Sequence, residues 1–202
     1  MKKIFSILFA LTLTTTISFS QTQMGVTAGV NMSTLSGNDL SNVMEAFGFE
    51  MGSRPGIRIG FSASKELSDV LALNSGVIYS AKGYSFSSSQ SDGNAALNYI
   101  ELPVNLAFSV SDQFSLMGGF YSAFLMSVNS ILDGEEQEQD MDLFASIDVG
   151  IGLGAQFYIN DDISINAGYQ MGIVPLREPI EAIEFDDKNA NIFIGITYNF
   201  GG

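Results

Sequence analysis

Apolar residues alternate with polar or small residues at a period of two along most of the chain after its first twenty positions. Since successive side chains of a β-strand point to opposite faces, this alternation predicts strands with one apolar and one polar face. Eight segments carry the pattern: 24–34, 56–64, 70–83, 98–110, 114–126, 144–158, 163–174 and 191–200. The chain is therefore expected to be an all-β protein.

The links between these segments alternate in length. Short turns cover 65–69, 111–113 and 160–162, whereas long links cover 35–55, 84–97, 127–143 and 175–190. Short turns at one end and long loops at the other are typical of an antiparallel up-and-down meander in a bacterial outer membrane. The segments are long enough to cross a bilayer as tilted strands. We therefore predict an eight-stranded transmembrane β-barrel with its long links outside and both termini in the periplasm.

The polar face of the segments distinguishes this barrel from a soluble barrel or sandwich, which would show the same alternation. A water-facing strand usually carries many charged side chains. Here the polar face consists mainly of Gly, Ser, Asn, Ala and Thr, and its charged members are Arg58, Lys82, Glu101 and Asp148. Two positive and two negative charges are expected to pair with one another in a narrow lumen.

The first twenty residues have the composition of a secretory signal peptide. Lys2 and Lys3 precede a short apolar run, and Ser18 and Ser20 place small residues before the expected cleavage site. We therefore divide the chain into a signal peptide, 1–20, and one barrel domain, 21–202. Cysteine is absent, so the exported domain is expected to be held together by backbone pairing and burial.

Composition and charge exclude several classes of function. The formal charge is −14, which makes nucleic acid an improbable partner because its phosphates would be repelled. Histidine and cysteine are both absent, which removes Ser-His-Asp triads, cysteine nucleophiles and the usual zinc sites. Glu101 and Asp148 remain open as a catalytic carboxylate pair, although we favour counterions to Arg58 and Lys82. We predict no catalytic, metal or cofactor site.

Three further groups of residues have expected roles at the membrane. An aromatic girdle at the lipid boundary is assigned to Tyr79, Phe157, Tyr169, Tyr198 and Phe200. The acidic run 133–142 is expected to be a solvated loop, with divalent-ion bridging to lipopolysaccharide as the alternative. Local pairing, of Arg54 with Glu50 and of Arg177 with Glu178 or Glu181, is favoured over contacts with lipid phosphates.

The residues Tyr99-Ile100-Glu101-Leu102-Pro103 resemble the most recognisable motif of the PorT-type outer-membrane β-barrels. The run from Gly25 to Asn31, the stretch from Tyr79 to Gly83 and the closing stretch from Asn191 to Phe200 resemble other parts of the same family, which is related in architecture to small barrels of the OmpX and OmpA kind. The resemblance implies an outer-membrane location and, for some members, a link to protein export.

Together these patterns predict an integral outer-membrane barrel, monomeric and without enzymatic activity. Its expected role is structural, surface-recognition or accessory to secretion or the envelope. Membrane lipid and lipopolysaccharide are the expected contacts, with an envelope or secretion protein as a candidate partner. The alternative is a narrow channel for small solutes, since eight strands enclose an interior only just filled by side chains.

Overall fold

The computed structural model describes residues 22–37, 39–138, 141–177 and 186–200, and the predicted signal peptide lies outside these ranges. The strands within them are β1 (Thr22–Ser36), β2 (Glu50–Ser68), β3 (Leu71–Ser87), β4 (Asp92–Ser111), β5 (Phe114–Leu132), β6 (Glu135–Glu138), β7 (Ile147–Tyr158), β8 (Ile163–Gly172) and β9 (Lys188–Phe200). The helix α1 (Asp39–Ala46) follows β1, and a 3-10 turn (Met141–Leu143) precedes β7. No helix in the described ranges is long and apolar enough to cross a membrane.

Eight of the strands form a closed ring. Each pairs antiparallel with the next ring strand along the chain, and β1 closes the ring by pairing with β9, from Met24 opposite Phe200 to Ser36 opposite Lys188. β6 lies outside the ring and pairs with the end of β5. A closed ring leaves no strand edge, so backbone donors and acceptors can be satisfied within hydrocarbon. The predicted eight-stranded meander barrel is confirmed.

The two faces of the strands have opposite environments. Apolar side chains on the outer face are widely exposed, with Val30 at 54%, Phe120 at 66% and Leu153 at 73%. Polar side chains such as Lys82 and Ser115 on the inner face are fully buried. Exposed apolar side chains on every ring strand form a continuous surface that water would not favour. The outer face is therefore suited to lipid, as the alternation predicts.

Several strands are longer than the sequence pattern indicates. β2 begins at Glu50 rather than at 56, β4 begins at Asp92 rather than at 98, and β5 ends at Leu132 rather than at 126. The apolar alternation weakens in these extensions, but backbone pairing in water needs no apolar face. The ring strands therefore continue past the length that a bilayer requires, and they project at the end that carries the long links.

The same end of the barrel is covered by a cap. The link 35–55, expected to be a loop, contains α1, whose Leu40 is buried. Leu40 packs in a cluster with side chains from the strands and the other links, including Tyr84, Leu97, Tyr99, Tyr121, Phe144 and Leu176. Apolar packing therefore closes the interior at this level, above the lumen.

Asp187 fastens α1 to the start of β9. Its Oδ2 accepts the backbone N–H of Leu40 at 2.8 Å, and Asp39 in return accepts the backbone N–H of Asp186 at 2.8 Å. The Asp187 side chain is almost fully buried. Burial raises the pKa of this carboxyl, and nearby Asp39 raises it further. The reciprocal hydrogen bonds hold the cap in place across a long separation in sequence.

The ladder between β2 and β3 is interrupted beside the lumen. Four residues of β2, 54–57, lie opposite three of β3, 81–83, without regular pairing. The carbonyl of Lys82 accepts a hydrogen bond from Arg54 Nη1 at 3.3 Å, and the carbonyl of Ala81 accepts one from Asn31 Nδ2 at 3.2 Å. The predicted pairing of Arg54 with Glu50 is wrong, because Arg54 donates instead to the Lys82 carbonyl and, through Nε, to Asn94 Oδ1 at 3.0 Å.

Candidate functional site

The four charged residues of the inner face meet in the lumen. Arg58 Nη2 lies 3.6 Å from Glu101 Oε1, and Lys82 Nζ lies 3.0 Å from Glu101 Oε2. Lys82 Nζ also lies 3.5 Å from Asp148 Oδ2. All four side chains are at most 5% exposed. They come from β2, β3, β4 and β7, so inward alternation on separate strands brings them to one level of the barrel. We call this group the lumen charge cluster.

Neutral side chains complete the bonding of the two carboxylates. Gln170 Nε2 donates to Glu101 Oε1 at 2.8 Å. Tyr121 Oη donates to Asp148 Oδ2 at 3.2 Å, and Asn189 Nδ2 donates to the same oxygen at 3.0 Å. A buried carboxylate is tolerated when such donors replace water. Each acid of the cluster therefore has both cationic and neutral partners.

A chain of amides and hydroxyls carries the network across the rest of the lumen. Asn191 Nδ2 donates to Gln170 at 3.2 Å and to Asn31 at 3.3 Å. Asn31 Nδ2 donates in turn to Ser80 Oγ at 2.9 Å, and Ser33 Oγ donates to Asn191 at 2.9 Å. With the lumen charge cluster included, every one of the eight ring strands contributes at least one side chain. The network thus spans the full cross-section of the barrel.

Aromatic rings cover both cations of the cluster. The Lys82 ammonium lies 4.1 Å from the centre of the Tyr121 ring, and the Arg58 guanidinium carbon lies 4.0 Å from the centre of the Phe193 ring. These contacts stabilise a buried cation through the negative face of the ring. The four charges sum to zero and are paired with one another across different strands. This arrangement is suited to stabilising the barrel.

The network contains residues that sequence reasoning missed. Tyr121, Gln170, Asn189 and Asn31 were not identified as members, although Gln170 and Asn31 are amides on the inner face of predicted alternating segments. Inward amides could have been flagged as hydrogen-bonding partners. Their positions along the barrel axis could not be predicted from the sequence, because these positions depend on the stagger between neighbouring strands.

The five residues of the Tyr99 to Pro103 motif divide between the two faces of β4. Tyr99 and Glu101 are fully buried on the inner side, where Tyr99 Oη accepts a hydrogen bond from Asn189 at 3.3 Å. Pro103 is also buried and lines the lower lumen. Ile100 and Leu102 face outward between them. The motif therefore contributes Glu101 to the cluster and two outward apolar side chains to the lipid-facing surface.

The five aromatic residues assigned to the girdle all lie on the outer face, at two levels. Phe157, Tyr198 and Phe200 lie beside the short turns, with Tyr198 opposite Ile163 at the start of β8. Tyr79 and Tyr169 lie farther from these turns. The hydroxyl of Tyr79 donates to Asn98 Oδ1 at 2.9 Å, which satisfies its polar end. This distribution is compatible with anchoring at more than one depth.

Arg177 lies in the cap, where its Nη2 donates to Tyr84 Oη at 2.9 Å and its guanidinium carbon lies 5.4 Å from the centre of the Phe144 ring. Glu178 and Glu181, its expected partners, lie outside the described residues, as do Gln139 and Asp140 of the acidic run. Within the described ranges, no group of three or more acidic residues has the arrangement of a metal site.

A closed ring of eight antiparallel strands with an apolar exterior and a polar, bonded interior defines the class of small outer-membrane barrels. The chain belongs to the outer membrane protein beta-barrel domain family, which it matches over residues 19–178. Its location in the outer membrane follows from this membership. No curated protein matches the chain.

Two solved structures illustrate the likeness in fold. Ail, the attachment invasion locus protein of Yersinia pestis, is 16% identical with a TM-score of 0.52, and the match covers 89% of this chain and 99% of that chain. Neisserial surface protein A, NspA, is 16% identical with a TM-score of 0.57, and the match covers 88% of this chain and 97% of that chain. At this identity the likeness is one of fold.

Proposed function

We propose that this protein is a non-conducting outer-membrane barrel with a structural or surface-recognition role. The observation that carries the proposal is the bonded network across the lumen, to which all eight ring strands contribute side chains. An ion that crossed the barrel would have to displace buried, mutually paired charges. The apolar cap that includes Phe144 and Leu176 is a second barrier above this network.

The end of the barrel that carries the long links supports the recognition role. There β4 and β5, of 20 and 19 residues, continue beyond the membrane-spanning length and, with α1, form an ordered projection. We infer that residues 1–20 are removed as a signal peptide, that both termini lie in the periplasm and that this projection faces the exterior. An accessory role in secretion, suggested by the PorT-type resemblance, would use the same projection to bind an envelope protein.

The absence of His and Cys from the whole sequence supports a role without catalysis. The two lumen carboxylates, Glu101 and Asp148, are engaged by Lys82 and by neutral donors, which leaves them poorly placed to exchange protons with a substrate. We therefore assign them to stability. Lipid and lipopolysaccharide are the proposed contacts of the outer face, and the protein is proposed to be a monomer.

Single-channel recording in a planar bilayer tests the non-conducting role. The folded mature protein is expected to give no steady unitary current, because the network and the cap obstruct the lumen in series. A general porin inserted under the same conditions is the control for sensitivity, and heat-modifiable mobility in gels verifies that the protein is folded. A reproducible unitary conductance would instead support the narrow solute channel.

A further inference from the structure

A cavity of about 110 Å³ lies in the lumen below the charge cluster, in the half of the barrel that ends in the short turns. Its lining extends to Ser64, Gln156 and Asn199, which lie close to those turns, and it is not sealed. A space of this size holds several water molecules or one small organic molecule. The network above it obstructs access from the capped end, so the cavity is reached from the end with the short turns.

Arg58 forms the inner end of this cavity. Its side chain is 5% exposed, and its guanidinium stacks on Phe193, which also lines the cavity. Nη2 faces Glu101, whereas Nε and Nη1 have no hydrogen-bond acceptor among the described residues. Buried guanidinium donors without acceptors are costly. At the inner end of the cavity, Arg58 therefore has two guanidinium donors without protein acceptors in the described part of the chain.

The electrostatics favour an anion as an acceptor for these donors. Glu101 is held more closely by Lys82, at 3.0 Å, and by Gln170, at 2.8 Å, than by Arg58, at 3.6 Å. Arg58 is thus the more weakly paired of the two cations and the charged residue of the cluster that lines the cavity. Among the described residues that form the lining, none is acidic. A negative group beside Arg58 would meet no carboxylate within the cavity itself.

The remaining walls determine what kind of anion fits. Pro103, Met117 and Ile78 contribute apolar surface, and Ser62 and Asn74 are among the residues with hydroxyl or amide groups that also line the cavity. An inorganic ion would leave this apolar surface without a partner. We propose that the cavity binds a short-chain aliphatic monocarboxylate, with its carboxylate at Arg58 and its alkyl chain against Pro103 and Met117. This site is independent of the recognition role proposed above.

Titration of the folded, ¹⁵N-labelled mature protein with sodium butyrate tests the site. The chain contains three arginines, Arg54, Arg58 and Arg177, so its Nε–Hε resonances are few and the Arg58→Lys variant assigns one of them. A saturable shift of the Arg58 resonance with butyrate is expected. Butyramide, the neutral analogue, and sodium chloride at equal ionic strength are expected to leave it unchanged. Equal shifts with either control, or no saturable shift with butyrate, would overturn the proposal.

Two variants test separately how the charge and the shape of the cavity contribute to butyrate binding. Arg58→Gln removes the cation, and Ser62→Met fills the cavity without altering Arg58. Each is expected to weaken binding of ¹³C-labelled butyrate by at least about tenfold, the effect of losing a charge-assisted hydrogen bond or the bound volume. Arg177→Gln, at the opposite end of the barrel, is the matched control and should bind normally. Wild-type affinity in a folded Ser62→Met protein would also overturn the proposal, even if Arg58→Gln fails to fold.

Discussion

Replacement of Glu101 by alanine is expected to lower the free energy of unfolding by about 3 to 5 kcal/mol, the loss typical when one partner of a buried ion pair is removed. Glu101 is the shared partner of Arg58, Lys82 and Gln170. Without it, two buried cations would have Asp148 as their only acidic partner in the cluster. Urea unfolding from lipid vesicles measures the change, and circular dichroism is the readout because the chain has no tryptophan.

Two further variants test whether the loss of stability comes from breaking the lumen network rather than from removing any glutamate. Glu66→Ala, on the exposed end of β2, should change the free energy of unfolding by less than about 0.5 kcal/mol. The double variant Glu101→Gln with Arg58→Met removes opposite charges together, leaves the Lys82–Asp148 pair in place and should cost less than Glu101→Ala alone. A Glu101→Ala protein as stable as the Glu66→Ala protein would show that the lumen network contributes little to stability.

Lysine placed at Val104 is expected to lower the free energy of unfolding by about 2 to 4 kcal/mol, because a charge near the bilayer midplane loses its hydration. Val104 lies on the outer face of β4, is 50% exposed, and pairs with Phe120 near the middle of the strand. The same unfolding experiment applies. Ser89→Lys, in the exposed link between β3 and β4, is the matched control and should be nearly neutral. Similar losses at both positions would argue against a lipid-facing Val104.

The alternation of side chains was sufficient to predict the membrane-spanning part of the fold. Segments such as 98–110 carry an apolar stripe because lipid requires one, and their links reveal the direction of each strand. The extension of β4 back to Asp92 and the helix α1 could not be predicted in this way, because they lie outside the bilayer and need no apolar stripe. Outside the bilayer, pairing and packing of the cap depend on contacts between distant segments, such as Asp187 with Leu40, which leave no periodic signal.

The candidate site was predictable to a similar extent. Charges on an inward face must be paired, so Arg58, Lys82, Glu101 and Asp148 could be proposed as a cluster from alternation alone. Which cation lies closest to which acid depends on the stagger of the ring strands. The stacking of Arg58 on Phe193, the break in the ladder at Arg54 and the cavity below Arg58 all follow from that stagger. They became visible only in three dimensions.

Collision accessibility of nitroxide labels along β4 in lipid vesicles tests most directly whether the apolar face of the barrel contacts hydrocarbon. The chain has no cysteine, so single cysteines can be introduced without background labelling. Labels at Leu102, Val104 and Leu106 should collide freely with oxygen and poorly with a water-soluble nickel complex, whereas a label at Asn105 should be shielded from lipid. Outward labels that are reached mainly by the nickel complex, or shielded from both reagents, would contradict a transmembrane barrel.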